Sequence, residues 1–107
     1  MSRDTLFTVH IDDAGQTMRG TVVGELDLLT EPDLVIAFNT ALHRSPATAA
    51  VLDLRQVGFI DSSGLRALLL CRDQAQEKGV GFFLAVAEGP VMRLLEVAGV
   101  KGSFTYA

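Results

Sequence analysis

Two short acidic stretches hold the residues best suited to chemistry. One is Gly24-Glu25-Leu26-Asp27-Leu28-Leu29-Thr30, and the other is Gly58-Phe59-Ile60-Asp61-Ser62-Ser63-Gly64. Each sets an aspartate after a β-rich segment and before a helical pattern, and the second adds two adjacent hydroxyls. The simplest role for Asp61-Ser62-Ser63-Gly64 is a helix cap, because Asp and Ser oxygens accept from the orphan N–H groups of a first helical turn. The chemical role open to the same residues is phosphorylation of a hydroxyl held at the helix start. A phosphoserine adds about −1.5 to −2 charges and several acceptor oxygens. A helix N-terminus, with free N–H groups and the positive end of the dipole, tolerates such a charge. Modification there would change the exposed surface and leave the fold intact.

Other chemistries fit less well. The serine pair is not Gly-x-Ser-x-Gly, and both histidines, His10 and His43, precede it, so a Ser–Asp–His triad in that chain order is absent. There is no Gly-x-Gly-x-x-Gly and no Walker sequence. Asp27 with Asp61 could form a carboxylate pair for Mg²⁺, but no phosphate-binding loop accompanies them. The histidines lack ligand spacing, and the single cysteine, Cys71, excludes an internal disulfide or a Cys-rich zinc site. Cys71 sits mid-helix beside Leu70 and reads as a small buried side chain. The expectation is a protein that is not an enzyme and holds no metal or cofactor.

Composition sets the frame for these motifs. The chain has 107 residues, 49% of them apolar and 21% charged, which suits one globular domain over residues 1–107. Nine Lys+Arg against thirteen Asp+Glu give a net charge of −4, and the basic residues are scattered, so no nucleic-acid stripe is present. No apolar run reaches the ~18 residues of a membrane span, and Met1–Thr5 has no secretory apolar region. A reducing cytoplasm is the expected location.

The elements that must position the two acidic loops follow from periodicity. Leu6–Ile11 and Met18–Val23 are β-rich and flank the turn signal Asp12-Asp13-Ala14-Gly15, predicting a hairpin. Thr30 reads as an N-cap, with Pro32 in the first turn and Glu31 and Asp33 at the positive helix end. Leu34, Phe38, Ala41 and Leu42 then mark one helical face up to about Arg44, ended by Ser45-Pro46. The apolar run Ala49–Leu54 predicts a strand covered on both faces. A helix follows Asp61 with Leu65, Leu68 and Leu69 toward the core, leaving Arg66 as the exposed residue able to contact a partner. It ends near Lys78-Gly79. Val80–Ala87 predicts another buried strand. Gly89-Pro90 opens a third helix, with Val91, Leu94, Leu95 and Ala98 on one face and Gly99 at its end. Phe104-Thr105-Tyr106 predicts a short edge strand. The order ββαβαβα(β) predicts an α/β fold, with a mixed, mostly parallel sheet of four to five strands and the helices mainly on one face. Both acidic loops would open at the carboxyl edge of that sheet, with Asp27 and Asp61 flanking Ser62 and Ser63.

Taken together, these residues resemble the STAS family. Gly24-Glu25-Leu26-Asp27 with Thr30 and Leu34 resembles its first signature. Leu52-Asp53-Leu54 followed by Gly58–Leu65 resembles its second, and Val91–Gly99 looks like its third helix. The Asp-Ser-Ser-Gly form is most similar to bacterial anti-sigma factor antagonists. The resemblance implies a phosphorylation-controlled switch. The unphosphorylated protein would bind an anti-sigma factor that is also an ATP-using serine kinase, freeing a sigma factor, and the kinase would phosphorylate Ser62. A PP2C-type phosphatase would restore the active form. Asp27 and Asp61 would support partner contact or acceptor orientation, and Ser63 and Gly64 would shape the helix start. Family members commonly continue with a last helix, whereas this chain stops at Ala107. Apolar surface left open there would favour weak self-association. The competing reading is a constitutive STAS adaptor or scaffold in a signalling or lipid-transport complex.

Overall fold

The computed structural model describes residues 7–107. Leu6, where the first strand was expected to start, and Met1–Thr5 lie outside the described residues. β1 (Thr8–Ala14) and β2 (Thr17–Leu26) form the expected antiparallel hairpin, in register from Thr8↔Val23 to Ala14↔Thr17. The turn is tighter than its sequence signal. Asp12, Asp13 and Ala14 belong to β1, and only Gly15 and Gln16 turn, with Gly15 at φ +79°. A leading glycine with positive φ is what a two-residue hairpin loop favours.

Helix α1 (Glu31–Arg44) buries Leu34, Phe38 and Leu42, the spacing that predicted it. The next strand, β3, runs Ala49–Ile60, six residues beyond the apolar run that announced it. β2 likewise continues past Val23 to Leu26. The two strands pair in parallel, with register shifts at Thr21/Val23 and Gly24/Glu25. Bulges of this kind interrupt the period-two alternation by which a strand is recognised, so both extensions were hidden in the sequence. Helix α2 (Ser62–Lys78) ends at Gly79, left-handed at φ +77°. Lys78 Nζ donates to the carbonyls of Leu42 and Ser45, so the end of α2 ties down the end of α1. β4 (Gly81–Ala85) is shorter than expected, and α3 (Pro90–Val97) follows Gly89. Ala98 is exposed at the α3 C-cap and does not share the buried face. The predicted last strand is reduced to one parallel bridge, Leu84↔Tyr106, preceded by a 3₁₀ turn at Lys101–Ser103.

Strand order is β1-β2-β3-β4. Right-handed crossovers that step the same way place α1 and α2 on the same face, and α3 joins the same core. Ala50, Leu52 and Leu54 of β3 point into that face with Met18, Val22 and Leu26 of β2. They pack against Leu34 and Phe38 of α1, Leu68 and Cys71 of α2, and Val91 and Leu95 of α3. Phe38 meets Phe82 edge-on at 5.7 Å between ring centroids. Residues 50–54 are buried on both faces of the strand, as the apolar run predicted, and the helices cover the face that carries Ala50, Leu52 and Leu54. On the other face Val51 lies in register between Arg19 and Phe83, and Asp53 is enclosed by arginines. Asp53 Oδ2 accepts from Arg19 (3.1 Å) and from Arg55 (2.7 Å), and its Oδ1 accepts from Arg55 Nε (2.9 Å). The Arg55 hydrogen bonds hold the Asp53 carboxyl below its ordinary range despite burial.

Candidate functional site

Leu26 and Ile60 are register partners in adjacent parallel strands. Asp27 and Asp61, the next residues of each strand, therefore leave the sheet side by side at its carboxyl edge. The Asp61 N–H donates to the Leu26 carbonyl at 3.4 Å, which joins the two loops. The sequence expectation that both acidic loops open on one edge is met in the structure.

In the first loop, Asp27 Oδ1 accepts from the N–H groups of Leu29 (3.0 Å) and Thr30 (3.2 Å). Thr30 Oγ1 donates to the Glu25 carbonyl (2.7 Å) and accepts from the Asp27 N–H (2.9 Å). Thr30 does occupy the N-cap position of α1, but its backbone is already helical at φ −100°, ψ −13°, and its side chain caps no helical N–H. The hydroxyl braces the loop instead. This tight turn leaves Leu28 and Leu29 pointing outward, both exposed.

In the second loop, Asp61 is the N-cap of α2. Its Oδ1 accepts from Ser63 N–H (2.9 Å) and Gly64 N–H (3.1 Å), and its carbonyl accepts from Leu65 N–H (3.0 Å). The cap reading and the acceptor reading coexist here, on different residues. Asp61 caps, while Ser62, the first helical residue, is exposed and its hydroxyl is unpartnered among the described residues. Ser63 is half-buried. The free N–H groups expected to receive a phosphate are mostly taken, since Asp61 already occupies those of Ser63 and Gly64. An anion at Ser62 would share the helix start with the Asp61 carboxylate.

Gly64 is required by contact, not by torsion. A Cβ there would lie 2.4 Å from the Leu26 carbonyl oxygen and 2.7 Å from Ile60 Cγ1. The glycine lets the first turn of α2 rest directly on the ends of β2 and β3. Arg66 is exposed, as predicted, and also pairs loosely with the nearly buried Glu31 of α1 at 3.9 Å. Leu68 is fully buried, while Leu65 and Leu69 pack half-buried against the core. Asp27, Asp61, Ser62, Ser63, Gly64 and Arg66 thus share one edge of the molecule.

Sequence reasoning missed the apolar part of this edge. Leu28 and Leu29 lie within the first acidic loop, and their adjacency in a loop was the available signal. Phe59 is half exposed at the end of β3, where it lines a shallow groove with Ile60, Pro90, Arg93, Leu94 and Val97. Nothing local in the sequence joins residues 59–60 to α3.

A one-sided α/β sheet with a capped helix start and an open serine at its carboxyl edge defines the class of small STAS-type domains. A family model described as "Mlab, STAS domain" matches residues 9–105, and the chain belongs to the STAS family. It is similar to an anti-sigma F factor antagonist of Paenibacillus polymyxa, 32% identical over 77 residues, which is 72% of this chain and 66%, just under two thirds, of that protein. An anti-sigma factor antagonist from Mycobacterium paratuberculosis has a similar structure, with a TM-score of 0.81 and 28% identity over 99% of this chain and 90% of that one. The anti-sigma factor antagonist SpoIIAA, solved unphosphorylated, shares the fold at a TM-score of 0.76 and 18% identity, over 94% of this chain and 88% of that one. A structure of Bacillus SpoIIAA in the phosphorylated form gives a TM-score of 0.68 and 20% identity, over 94% and 91%. Among the described residues no helix is long and apolar enough to cross a membrane.

Proposed function

We propose that the chain is an anti-sigma factor antagonist that works as a phosphorylation-controlled partner switch. In its unphosphorylated form it binds an anti-sigma factor serine kinase and so releases a sigma factor. The kinase, using ATP, transfers phosphate to Ser62. The Ser62 oxygen bonds to the γ-phosphorus, the bond to the β-phosphate oxygen breaks, ADP leaves and the hydroxyl proton is lost. A PP2C-type phosphatase hydrolyses the ester and restores the binding form. The chain is substrate and ligand in this cycle, not catalyst.

One observation carries the reading. Ser62 is exposed at a capped helix start and its hydroxyl is unpartnered among the described residues, with Leu28 and Leu29 exposed on the neighbouring loop. Asp61 and Gly64 set the position of that hydroxyl, and Asp27 holds the neighbouring loop. Arg66 and Ser63 offer polar contacts on the same edge. The names of the similar proteins, and the two phosphorylation states in which SpoIIAA has been solved, point the same way.

The switch follows from electrostatics. A hydroxyl at an interface needs one or two hydrogen bonds, whereas a phosphate must lose its hydration while sharing the helix start with Asp61. Like charge and lost hydration both oppose docking. Each ~1.4 kcal/mol of penalty is tenfold in affinity, so a few kcal/mol abolishes binding. The test compares kinase affinity of wild type, Ser62→Ala and Ser62→Asp. Ser62→Ala should bind like wild type and Ser62→Asp at least tenfold more weakly. Equal binding of all three would reject the switch and favour the constitutive adaptor.

A further inference from the structure

We infer that the groove between the end of β3 and α3 is a second anchor for the partner that reads Ser62, and that it takes an apolar side chain of that partner followed by a carboxylate. This rests on the switch reading above. The groove holds about 320 Å³ and is lined by Phe59, Ile60, Pro90, Leu94 and Val97, with Arg93 as the one charged group among the described residues.

Continuity is the first argument. Phe59 and Ile60 are the last residues of β3 and run directly into Asp61 and Ser62, so the groove and the serine are joined by one continuous stretch of chain. The outward apolar residues are the second. Val97 is 80% exposed and Phe59 47%, while Leu28 and Leu29 are exposed on the other acidic loop. Single exposed apolar residues are ordinary, but a lined concavity next to a functional loop marks a binding surface. Charge is the third. Arg93 makes no ion pair among the described residues, whereas its neighbour Glu96 is paired with Lys101 at 3.5 Å. A guanidinium at the lip of an apolar groove selects a carboxylate, with which it can form a two-pronged pair. The occupant is therefore an aliphatic or aromatic residue with an acidic neighbour.

The experiment measures affinity for the anti-sigma factor serine kinase by calorimetry, using the full chain as wild type, Val97→Asp, Arg93→Glu, Ser62→Asp and Ile36→Asp. Val97 and Ile36 (64% exposed, on α1) are both open to solvent, so neither change disturbs the core, and circular dichroism verifies each fold. Val97→Asp and Arg93→Glu should each weaken binding about tenfold, the scale of a good anchor residue. Ile36→Asp should stay within twofold of wild type. If Val97→Asp and Arg93→Glu bind like wild type while Ser62→Asp does not, the groove is not an anchor and the serine switch stands. If Ser62→Asp also binds like wild type, or wild type itself does not bind, the switch reading falls and the anchor with it.

Discussion

Replacing Gly64 by alanine tests whether contact between α2 and the strand ends sets the serine's position. The new Cβ would sit 2.4 Å from the Leu26 carbonyl oxygen, where ordinary contact begins at 3.4 Å, so the turn must move by about 1 Å. The obstacle is backbone, which cannot swing away as a flexible side chain would. Overpacking of this kind costs roughly 1–3 kcal/mol. Alanine returns at most ~1 kcal/mol through its better helix propensity. The net loss is about 1–2 kcal/mol, or roughly 5–15 °C in Tm for a domain near 100 residues. The assay is thermal unfolding by circular dichroism, with Gly58→Ala as the control. A Cβ on Gly58 meets nothing within 4 Å, so that variant should unfold within about 2 °C of wild type. If Gly64→Ala unfolds at the wild-type temperature or above, the close approach of α2 to Leu26 is not what requires this glycine.

Other outcomes follow from the same structure. Asp61→Ala removes the cap on Ser63 and Gly64 and should cost about 1 kcal/mol by urea denaturation, with the far-ultraviolet spectrum kept. Ser62→Asp should also keep its spectrum and lose less than about 1 kcal/mol, because the helix dipole favours the charge that Asp61 opposes; a large fall would mean that modification acts by unfolding. Asp53 has its folded pKa lowered from 3.8, so its contribution is fully present above about pH 3.8 and disappears as pH falls through the lower folded value. Wild type should then exceed Asp53→Asn by about 1 kcal/mol from neutral pH down to about pH 4, and the gap should close in more acid solution. Cys71 is buried, and desolvation pushes its thiol up to about 12. It should resist iodoacetamide at pH 8 in the native protein and react fully in urea.

The parts of the fold that local periodicity controls were legible in the sequence. Leu34, Phe38 and Leu42 marked α1, Gly79 marked the end of α2, and Gly89-Pro90 the start of α3. Strand extents were not. The bulges at Thr21/Val23 and Gly24/Glu25 break alternation, so the last six residues of β3 looked like loop. Coverage of residues 50–54 was legible, since both faces are buried, but what covers the second face was not: there Asp53 is enclosed by Arg19 and Arg55. At the site, the juxtaposition of Asp27 with Asp61 was legible because each follows a parallel strand. The division of labour was not, since a cap and an exposed acceptor use the same residue types, and only geometry assigns Asp61 to one and Ser62 to the other. The reason for Gly64 lay in a contact with Leu26, 38 residues earlier, that no local pattern reveals.

The central claim is that Ser62 is the hydroxyl whose modification decides docking. Its most direct test is to incubate the chain with the anti-sigma factor serine kinase and ATP, map the modified residue by peptide mass, and measure the affinity of the modified chain for the same kinase. The account predicts a single phosphate on Ser62, none on a Ser62→Ala variant, and loss of binding by the phosphorylated chain. Phosphate on Ser63 or elsewhere, or a Ser62 phosphoprotein that still binds as tightly as the unmodified chain, would contradict it.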